Sequence, residues 1–370
     1  MWLHRLLGCM TLRIMSGTNT QDVARRCPQS VKVGIDFSGA GIPMKALQNL
    51  EVPHKHLFDC DIDHASQKVS ECIYEPKEIL TDVRNRDVTS MPATDYFHYS
   101  PPCKDYSTDG KRLGSKQTRG RLWRYSIAYI RVWKPKLVSY EMVMGILGKK
   151  HKCEFLKMVA CLKKFGYKCH ARVVNTCDHG IPHRRRRVFL VGAQQWRRRF
   201  KWPKPVGVKW SVSSIIQQRP TDNALKLPTK RDQTIGGRRR RSLVKKGYKW
   251  LLAHNINPQN RYTFIDIGCS LSRAPNPTVD LLPCMTAARA ASCDWWLTPR
   301  GGKITTRELF QFQGLTASDY EEWREKTKLS DRQLGILMGN AMSLNVTERI
   351  VGEALWCAGL VMKRPPDRWA

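Results

Sequence analysis

The sequence predicts an α/β fold in which a doubly wound, mostly parallel sheet is accompanied by a second, smaller domain. Two observations indicate this class. Short apolar segments, beginning with VKVGID at Val31, alternate with segments of helical periodicity such as CEFLKMVACLKKFGY. From about residue 196 the composition changes to basic sequence that is interrupted by Pro and Gly and contains several Trp residues. Alternating strands and helices are typical of a parallel sheet built from βαβ units.

The expected elements follow this alternation in chain order. The first strand ends in the turn-prone FSGAG and precedes a helix over residues 42–50 and a second strand over His56–Ile62. KEILTDV indicates a third unit, and TDYFHYS a fourth strand that runs into Pro101 and Pro102. A helix over residues 121–132 precedes a fifth strand in PKLVSYEMV.

Later segments extend the pattern. The apolar face of the helix CEFLKMVACLKKFGY is expected to contain Phe155, Leu156, Val159 and Leu162. HARVVN and RRVFLVGA indicate further strands, and helices return at TTRELFQFQGL, at LSDRQLGILMGN and near residues 343–360.

These segments suggest a division into domains. Residues 31–204 together with residues 330–362 are expected to form the larger domain, and residues 205–329 the smaller domain with its hinge. Residues 1–30 are predicted to be a disordered leader. Residues 104–120 are rich in Gly, Lys, Arg and Ser, which indicates a mobile loop.

The net charge is unusually high. The chain has 64 Lys+Arg against 31 Asp+Glu, a formal net charge of +33. Such a field attracts polyanions, so nucleic acid is the first partner to expect, and residues 196–250 would hold either DNA or RNA. Arg238–Arg241 is either a phosphate clamp or a nuclear signal. A membrane is the weaker alternative, because no basic amphipathic helix and no run of 18 apolar residues is evident.

Cysteine usage and the first residues bear on the compartment. The chain has thirteen cysteines but no Cys-x-x-Cys pair. This pattern argues against a structural zinc site and against a secreted disulfide framework. A reducing compartment is therefore expected: the nucleus in a eukaryote, otherwise the cytoplasm. The first 21 residues contain Arg5 and Arg13 but no acid, so an organelle transit peptide is the alternative to a simple leader.

The FSGAG turn at residues 37–41 lies between a strand and a helix. Glycines there permit positive φ and let a ligand approach the backbone. Asp61 follows Gly39 by 22 residues at the next strand end, where an acid can accept hydrogen bonds from ribose hydroxyls. Asp82 ends the third unit. A glycine turn is often purely structural, but the two acids favour a nucleoside, and the lack of Gly-x-x-x-x-Gly-Lys argues against ATP.

Cys103 follows two prolines at the carboxyl end of a predicted strand. Prolines stiffen the backbone, and the nearby Lys104, Lys111 and Arg112 would favour the thiolate, the nucleophilic form. An inert buried thiol is the alternative for one cysteine among thirteen. The position indicates a candidate nucleophile.

Two other strand ends carry charge. Glu141 ends the fifth strand, where a carboxyl group is placed for proton transfer in the same crevice; a solvated loop acid is the alternative. Arg184–Arg187 runs into the strand VFLVG. Because side chains alternate along a strand, Arg185 and Arg187 should share one side and could both turn inward.

Taken in order, these segments resemble the cytosine-5 DNA methyltransferase family from Val33 to about Leu355. DFSGAG is similar to the glycine motif of the family, and SPPCKDYS to its Pro-Cys catalytic loop. EMV at residues 141–143 stands where the family has Glu-Asn-Val.

Two further motifs complete the resemblance. The segment around Arg185 and Arg187 is similar to the family's Gln-x-Arg-x-Arg motif, and Gly339-Asn340 with the following helix to its closing motif. Five motifs in the right order are specific together, although none is specific alone.

The resemblance implies a Rossmann-like class I methyltransferase with a target-recognition domain, which transfers a methyl group from S-adenosylmethionine to carbon 5 of cytosine in DNA. Cys103 would add to carbon 6 of the base. Glu141 would hydrogen-bond ring nitrogen 3, and Arg187, with Arg185 behind it, would hold the exocyclic oxygen. The base must be flipped out of the duplex, and residues 104–120 would close as a lid.

The resemblance also implies a cofactor site. The residues expected around S-adenosylmethionine are Phe37, Gly39, Gly41, Asp61, Ile62, Asp82, Pro102 and Asn340.

Three positions depart from the family pattern. Met142 replaces an Asn whose hydrogen bonds would brace the Cys103 loop, His183 replaces a Gln, and Ala341-Met342 replaces Ser-Val. These departures bear on rate and substrate more than on reaction type.

Two alternatives remain beside the DNA methyltransferase. A tRNA-methylating branch of the family shares the fold, but its loop usually has Pro-Pro-Cys-Gln-Pro-Phe-Thr, with Cys-Phe-Thr later in the chain. Ser107 and the lack of Cys-Phe-Thr favour DNA. A non-catalytic nucleic-acid-binding protein is compatible with Met142 and His183, whereas the presence of Cys103, Glu141 and Arg187 speaks against it.

Overall fold

A computed structural model describes residues 29–102, 121–217, 227–228 and 235–370. Cys103 and the predicted lid at residues 104–120 lie outside the described residues, as does the leader except for its last two positions.

A seven-stranded sheet forms the centre of the molecule, with strand order β3-β2-β1-β4-β5-β8-β6. All neighbouring pairs are parallel except those of β8, which runs antiparallel to both β5 and β6. The predicted α/β class with a mostly parallel sheet is confirmed. The strands are β1 Val31–Asp36, β2 His54–Cys60, β3 Glu78–Leu80, β4 Tyr96–Tyr99, β5 Leu137–Val143, β6 Lys168–Asn175 and β8 Arg186–Ala193.

Helices cover both faces of the sheet. The helices are α1 Ile42–Asn49, α2 His64–Val69, α3 Trp123–Trp133, α4 Lys152–Lys164, α5 Val212–Ile215, α6 Ile235–Ala253, α7 Ala287–Ala290, α8 Thr306–Phe312, α9 Ala317–Thr327, α10 Asp331–Asn340 and α11 Leu344–Ala358. On one face α1 and α11 pack with Val33 and Tyr96, and on the other α3 and α4 pack with Phe58 and Phe97. The sheet is thus buried on both sides, as its apolar strands require.

The predicted apolar face of α4 is wrong at Leu156. Its side chain is 53% exposed, whereas Met158 is 2% exposed and packs in the core. Phe155, Met158 and Leu162 follow the helical period and line one face. Leu156 is next to Phe155 in sequence and is therefore turned about 100° away from that face.

α2 and α9 are among the helices that were not predicted. α2 begins at Asp63, whose side chain accepts a hydrogen bond from the Ser66 amide, and it continues into a π-helical turn over Ser70–Tyr74. α9 begins with a capping box formed by Thr316 and Asp319. Both helices have polar sequences, so their hydrophobic period is weak and the capping residues carry the local signal.

The smaller sheet lies in the C-terminal half. Its order is β11-β10-β12-β13, all antiparallel, and a separate short parallel pair joins β7 to β9. One side of β10 and β12 joins the main core, and the other side is covered by α6. The strands are β7 His179–Gly180, β9 Gly207–Val208, β10 Thr263–Asp266, β11 Thr278–Val279, β12 Trp295–Leu297 and β13 Gly302–Lys303.

α6 corrects the expectation of an interrupted basic segment, because GGRRRRSLVKKGYKW lies within one helix of 19 residues. Leu243 and Val244 are buried against the small sheet. Gly247 does not break the helix. A Cβ at this position would lie 2.5 Å from the Ile265 side chain, so glycine is what lets α6 approach β10 closely.

Residues 305–329, which the sequence analysis assigned to the smaller domain, contact helices that it assigned to the larger one. α8 and α9 contact each other, and they also contact α10, α2 and the π-helical turn. The Tyr74 and Trp323 rings meet edge to face with centroids 6.1 Å apart, and Lys45 pairs with Asp319. These contacts hold α9 against α1 and the π-helical turn.

Candidate active site

A cleft of about 700 Å³ opens at the carboxyl ends of β1 to β5. Its walls come from the segments that follow these strands, from the start of β8 and from residues 336–342 at the end of α10. β1 lies between β2 and β4, so the chain winds outward in opposite directions on its two sides. This is the switch point at which open α/β sheets bind their ligands.

Most of the residues predicted for the site lie in the wall of this cleft. Gly41 is not among the lining residues, and Cys103 lies outside the described part of the chain. The predicted residues that line the cleft are Phe37, Gly39, Asp61, Ile62, Asp82, Pro102, Glu141, Arg185, Arg187 and Asn340.

The glycine turn brings backbone to the cleft surface. The amide of Phe37 donates to the Cys60 carbonyl at 2.6 Å, and Phe37 and Gly39 both have left-handed φ values, of 59° and 54°. A Cβ at Gly39 would find a single neighbour within 4 Å, the Phe37 carbonyl at 3.9 Å, so the position faces open space. At Gly41, in contrast, a Cβ would lie 2.2 Å from the Tyr74 ring. Gly41 therefore has a packing role, and Gly39 is the position where a ligand can approach.

Asp61 lies just past the end of β2. Its carboxylate accepts hydrogen bonds from the amides of Gly39 and Asp63, both at 2.9 Å, and burial raises its pKa to about 6. A carboxylate has about four acceptor sites, so two amides leave capacity for ligand hydroxyls. The neighbouring Ile62 is 69% exposed and offers apolar surface at the rim.

Asp82 is held by an arginine that sequence reasoning missed. Arg84 donates to the Asp82 carboxylate through Nε at 3.0 Å and Nη2 at 2.5 Å, and these hydrogen bonds lower the pKa of Asp82. Arg84 also lines the cleft. The sequence signal that could have identified Arg84 is an arginine two residues after an acid at a strand end.

Glu141 joins three strands. Its side chain is buried, it accepts a hydrogen bond from Ser100 Oγ at 3.2 Å, and its Oε1 lies 3.1 Å from Arg187 Nε. Ser100 Oγ also lies 3.0 Å from the Glu141 carbonyl. An acid and a guanidinium thus form an ion pair at one point of the cleft wall.

Arg185 lies deeper than Arg187 and is 2% exposed. Its guanidinium donates to the carbonyls of Met285 at 2.8 Å, Gly339 at 3.3 Å and Ala341 at 2.6 Å. It therefore ties the segment before α7 to the end of α10. Its position suits bracing of the cleft wall.

His183 makes a similar connection. Its Nε2 accepts from the Met285 amide at 3.2 Å, so Nδ1 carries the proton and donates to the Phe312 carbonyl at 3.1 Å. Burial lowers the pKa of the His183 ring well below the ordinary value, and the nearby Arg185 lowers it further. The ring is therefore neutral. One donor and one acceptor are what a glutamine amide would supply, which accounts for the departure at this position.

The departure at Met142 has a packing consequence. Met142 is 2% exposed and lies in the core beneath α3 and α4. It follows Glu141 in β5, so the two side chains lie on opposite faces of the sheet. Its thioether fills apolar space there.

α10 reaches the cleft because two glycines let it approach α7. A Cβ at Gly335 would lie 2.4 Å from the Ala290 carbonyl, and one at Gly339 would lie 2.4 Å from Ala287 Cα. Gly339 thereby sets the position of Asn340 at the cleft edge.

A buried ion pair near the end of β1 was also missed. Arg86 donates to both Asp36 oxygens, with Nη2 to Oδ2 at 2.6 Å, and Ser126 Oγ donates to Oδ2 at 2.7 Å. An acid closing the apolar strand VKVGID was the sequence signal, because a buried carboxylate needs a partner.

Across the ranges given above, no group of three or more His, Cys, Asp or Glu side chains is arranged to hold a metal ion. No described helix is long and apolar enough to cross a membrane.

Comparison with known proteins places these features in context. The family model for C-5 cytosine-specific DNA methylase matches residues 35–356. Type II methyltransferase M2.ScrFI of Lactococcus lactis subsp. cremoris is 31% identical over 144 residues, which cover 38% of this chain and 40% of that protein. Type II methyltransferase M.NgoBI of Neisseria gonorrhoeae is 24% identical over 294 residues, covering 79% and 84%.

The chain spans about half the length, or less, of most of the curated relatives it matches. Among solved structures, the Entamoeba histolytica methyltransferase EhMeth superposes with a TM-score of 0.60 at 15% identity, over 89% of this chain and 98% of that one. This likeness concerns the fold.

Proposed function

Because the chain belongs to the C-5 cytosine-specific DNA methylase family, we propose that it transfers a methyl group from S-adenosylmethionine to carbon 5 of cytosine in DNA. One observation carries the proposal: the Gly39–Asp61 contact and the Glu141–Arg187 pair open into the same cleft. The first suits a nucleoside and the second suits the edge of a pyrimidine.

S-adenosylmethionine fits the half of the cleft around β1 and β2. Gly39 leaves room where a Cβ would project, and Asp61 retains acceptor capacity for ribose hydroxyls. Asp82 with Arg84, Ile62 and Asn340 would enclose the rest of the molecule. When bound, S-adenosylmethionine supplies an electrophilic methyl group.

The chain's own residues would activate the base. Carbon 5 of cytosine is a weak nucleophile, so the Cys103 thiolate adds to carbon 6 and makes carbon 5 an enamine carbon. Glu141 hydrogen-bonds nitrogen 3 and stabilises the charge that develops there during the addition. Arg187 holds the exocyclic oxygen.

The covalent bond to Cys103 must break again for turnover. Once carbon 5 carries the new methyl group, its proton leaves to solvent, the double bond between carbons 5 and 6 forms again, and the thiolate departs. Arg185 and His183 act indirectly in this scheme, since they brace the segments that position the cleft wall.

DNA is the proposed substrate, with RNA as the other polymer the positive charge would attract. The target base has to leave its stack to enter the cleft, at a cost of a few kcal/mol. The proposed small domain, whose sheet joins the main core on one side, would present the polymer to the cleft.

The test is transfer of a labelled methyl group from S-adenosylmethionine, with duplex DNA and bulk tRNA assayed side by side. We expect label in DNA, and none with the Cys103→Ala variant. Label in tRNA alone would overturn the substrate, and label in neither, with cofactor binding intact, would make the protein a non-catalytic nucleic-acid binder.

A further inference from the structure

α6 carries five cations that the cleft does not use. Arg238, Arg239, Lys245, Lys246 and Lys249 are exposed, and we call them the basic face. α6 contains no Asp or Glu, and none of the five has an ion pair among the described residues. The exposed positions from Arg238 to Lys249 are these cations and Ser242.

Packing on the opposite side of α6 fixes the direction of this face. Leu243, Val244 and Leu251 are buried, and Gly247 lies against Ile265 of the small sheet. The helix cannot rotate without exposing these residues. The arginine run is therefore divided, with Arg238 and Arg239 outward and Arg241 donating to the Pro228 carbonyl at 3.1 Å.

The positions of the cations in α6 destabilise the helix. The amino-terminal end of a helix carries partial positive charge, so cations in its first turns are unfavourable. Lys245 and Lys249, four residues apart, also repel each other. A bound polyanion would relieve both effects, and this points to an anionic partner.

The spacing along α6 matches a nucleic-acid strand. Arg238 and Lys249 are separated by eleven residues, about 16 Å along the axis at a rise of 1.5 Å. A DNA strand carries one phosphate per ~3.4 Å of its axis, so this length lies opposite about five phosphates. Protein partners usually require an apolar centre to their interface, which this face lacks between those two residues.

We propose that the basic face of α6 binds the phosphate backbone of the nucleic-acid substrate without reading its sequence. The inference rests on the proposed function, because that substrate is the polymer carrying the target cytosine. It assigns Arg238 and Arg239 to polymer contact, because a targeting signal would have to be recognised on a helix held against the small sheet.

The test compares two triple variants with the same change of charge. One is Arg238→Gln with Lys245→Gln and Lys249→Gln, in which glutamine keeps good helix propensity. The control is Lys163→Gln with Lys164→Gln and Lys168→Gln. These three exposed lysines lie where α4 ends and β6 begins, at the sheet edge opposite the cleft.

The measurement is affinity for duplex DNA of mixed sequence between about 50 and 200 mM salt. The slope of log K against log salt should fall by roughly 0.9 for each lost phosphate contact, about 2.7 for the three. The control should leave the slope unchanged, and tRNA should show a loss similar to that of DNA.

Further measurements distinguish failure of this proposal from misfolding of the variant and from failure of the proposed function. Thermal unfolding and cofactor binding report whether the variant folds, and the single variant Lys249→Gln should lower the slope by about 0.9 even if the triple variant is unstable. A slope no lower than the control's, or a loss seen with one DNA sequence only, would overturn the proposal. Absence of methyl transfer by the wild type would overturn the proposed function and leave the slope result standing.

Discussion

The cleft and the basic face of α6 both present charge, but they hold it in opposite ways. In the cleft wall the buried Glu141 pairs with Arg187, and Asp82 pairs with the more exposed Arg84. On α6 the cations are exposed in a helix without a carboxylate. A buried pair acts through its geometry, whereas exposed like charges act through a field that salt screens. Chemistry and docking should therefore respond to different perturbations.

Glu141→Gln should produce the largest effect and sharpen this contrast. Loss of the carboxyl group that serves nitrogen 3 should lower kcat by about 10²–10⁴-fold. The salt slope of DNA binding should not change, because the residue is buried. The exposed acid Glu71, 58% exposed at its side chain, provides the matched control Glu71→Gln.

Retained turnover in Glu141→Gln would contradict the chemical role of the buried pair, and a changed salt slope would show that the pair acts as a docking charge. Either result would remove the distinction between the two regions.

Gly339→Ala tests whether close packing sets the cleft edge. The added Cβ would overlap the backbone of α7, so the free energy of unfolding should fall by about 1–3 kcal/mol. Denaturant unfolding measures this change. At Gly302 a Cβ would meet the Arg300 side chain at an ordinary 3.4 Å, so Gly302→Ala should be nearly neutral. Equal effects of the two substitutions would contradict the close approach.

Asp61→Asn should weaken S-adenosylmethionine binding by roughly tenfold. This factor corresponds to about 1.4 kcal/mol, near the lower end of what a hydrogen bond to a charged group contributes. The pH dependence gives a sharper readout. The Asp61 carboxyl has a pKa of about 6 in the ligand-free protein, and ribose hydroxyls would donate to its ionised form. The Kd for S-adenosylmethionine should therefore rise as pH falls through about 6.

The Asn variant should lose this pH dependence, and titration calorimetry across that range would measure it. Asp63→Asn is the control, since asparagine also caps helices well. A pH profile that persists in Asp61→Asn would assign the titration to another group.

His183→Gln should have the smallest effect. Glutamine supplies one donor for the Phe312 carbonyl and one acceptor for the Met285 amide, so stability and turnover should stay near wild type. His183→Leu leaves both backbone groups unpaired and should cost about 1–3 kcal/mol of unfolding free energy. Thermal unfolding of the two variants together would check this, and equal losses would refute the amide-like role.

The sheet and most of the site could be predicted because they lie where apolar strands end. Strand ends leave a local signal: Asp61 directly follows β2, Gly39 lies in the turn after β1, and Glu141 lies near the end of β5. The partners of the acids could not be located in this way. Arg86 reaches Asp36 across 50 residues, a contact that depends on the folding of the chain between them.

The helix that carries the basic face was not predicted, for a different reason. Glycines and clustered arginines have low helix-forming tendency at a helix start, so local sequence indicates an interruption near residues 236–241. The helix forms because Leu243 and Val244 find the small sheet, and its exposed face is a consequence of that contact.

The most direct test of the account is a covalent trap in duplex DNA with 5-fluorocytosine in place of cytosine. Fluorine cannot leave carbon 5 as the proton does, so the bond to the attacking sulfur should persist. We predict a denaturation-resistant protein–DNA complex that requires S-adenosylmethionine, maps to Cys103 and is lost in Cys103→Ala. A complex formed through another residue, or no complex from protein that methylates ordinary DNA, would contradict the account.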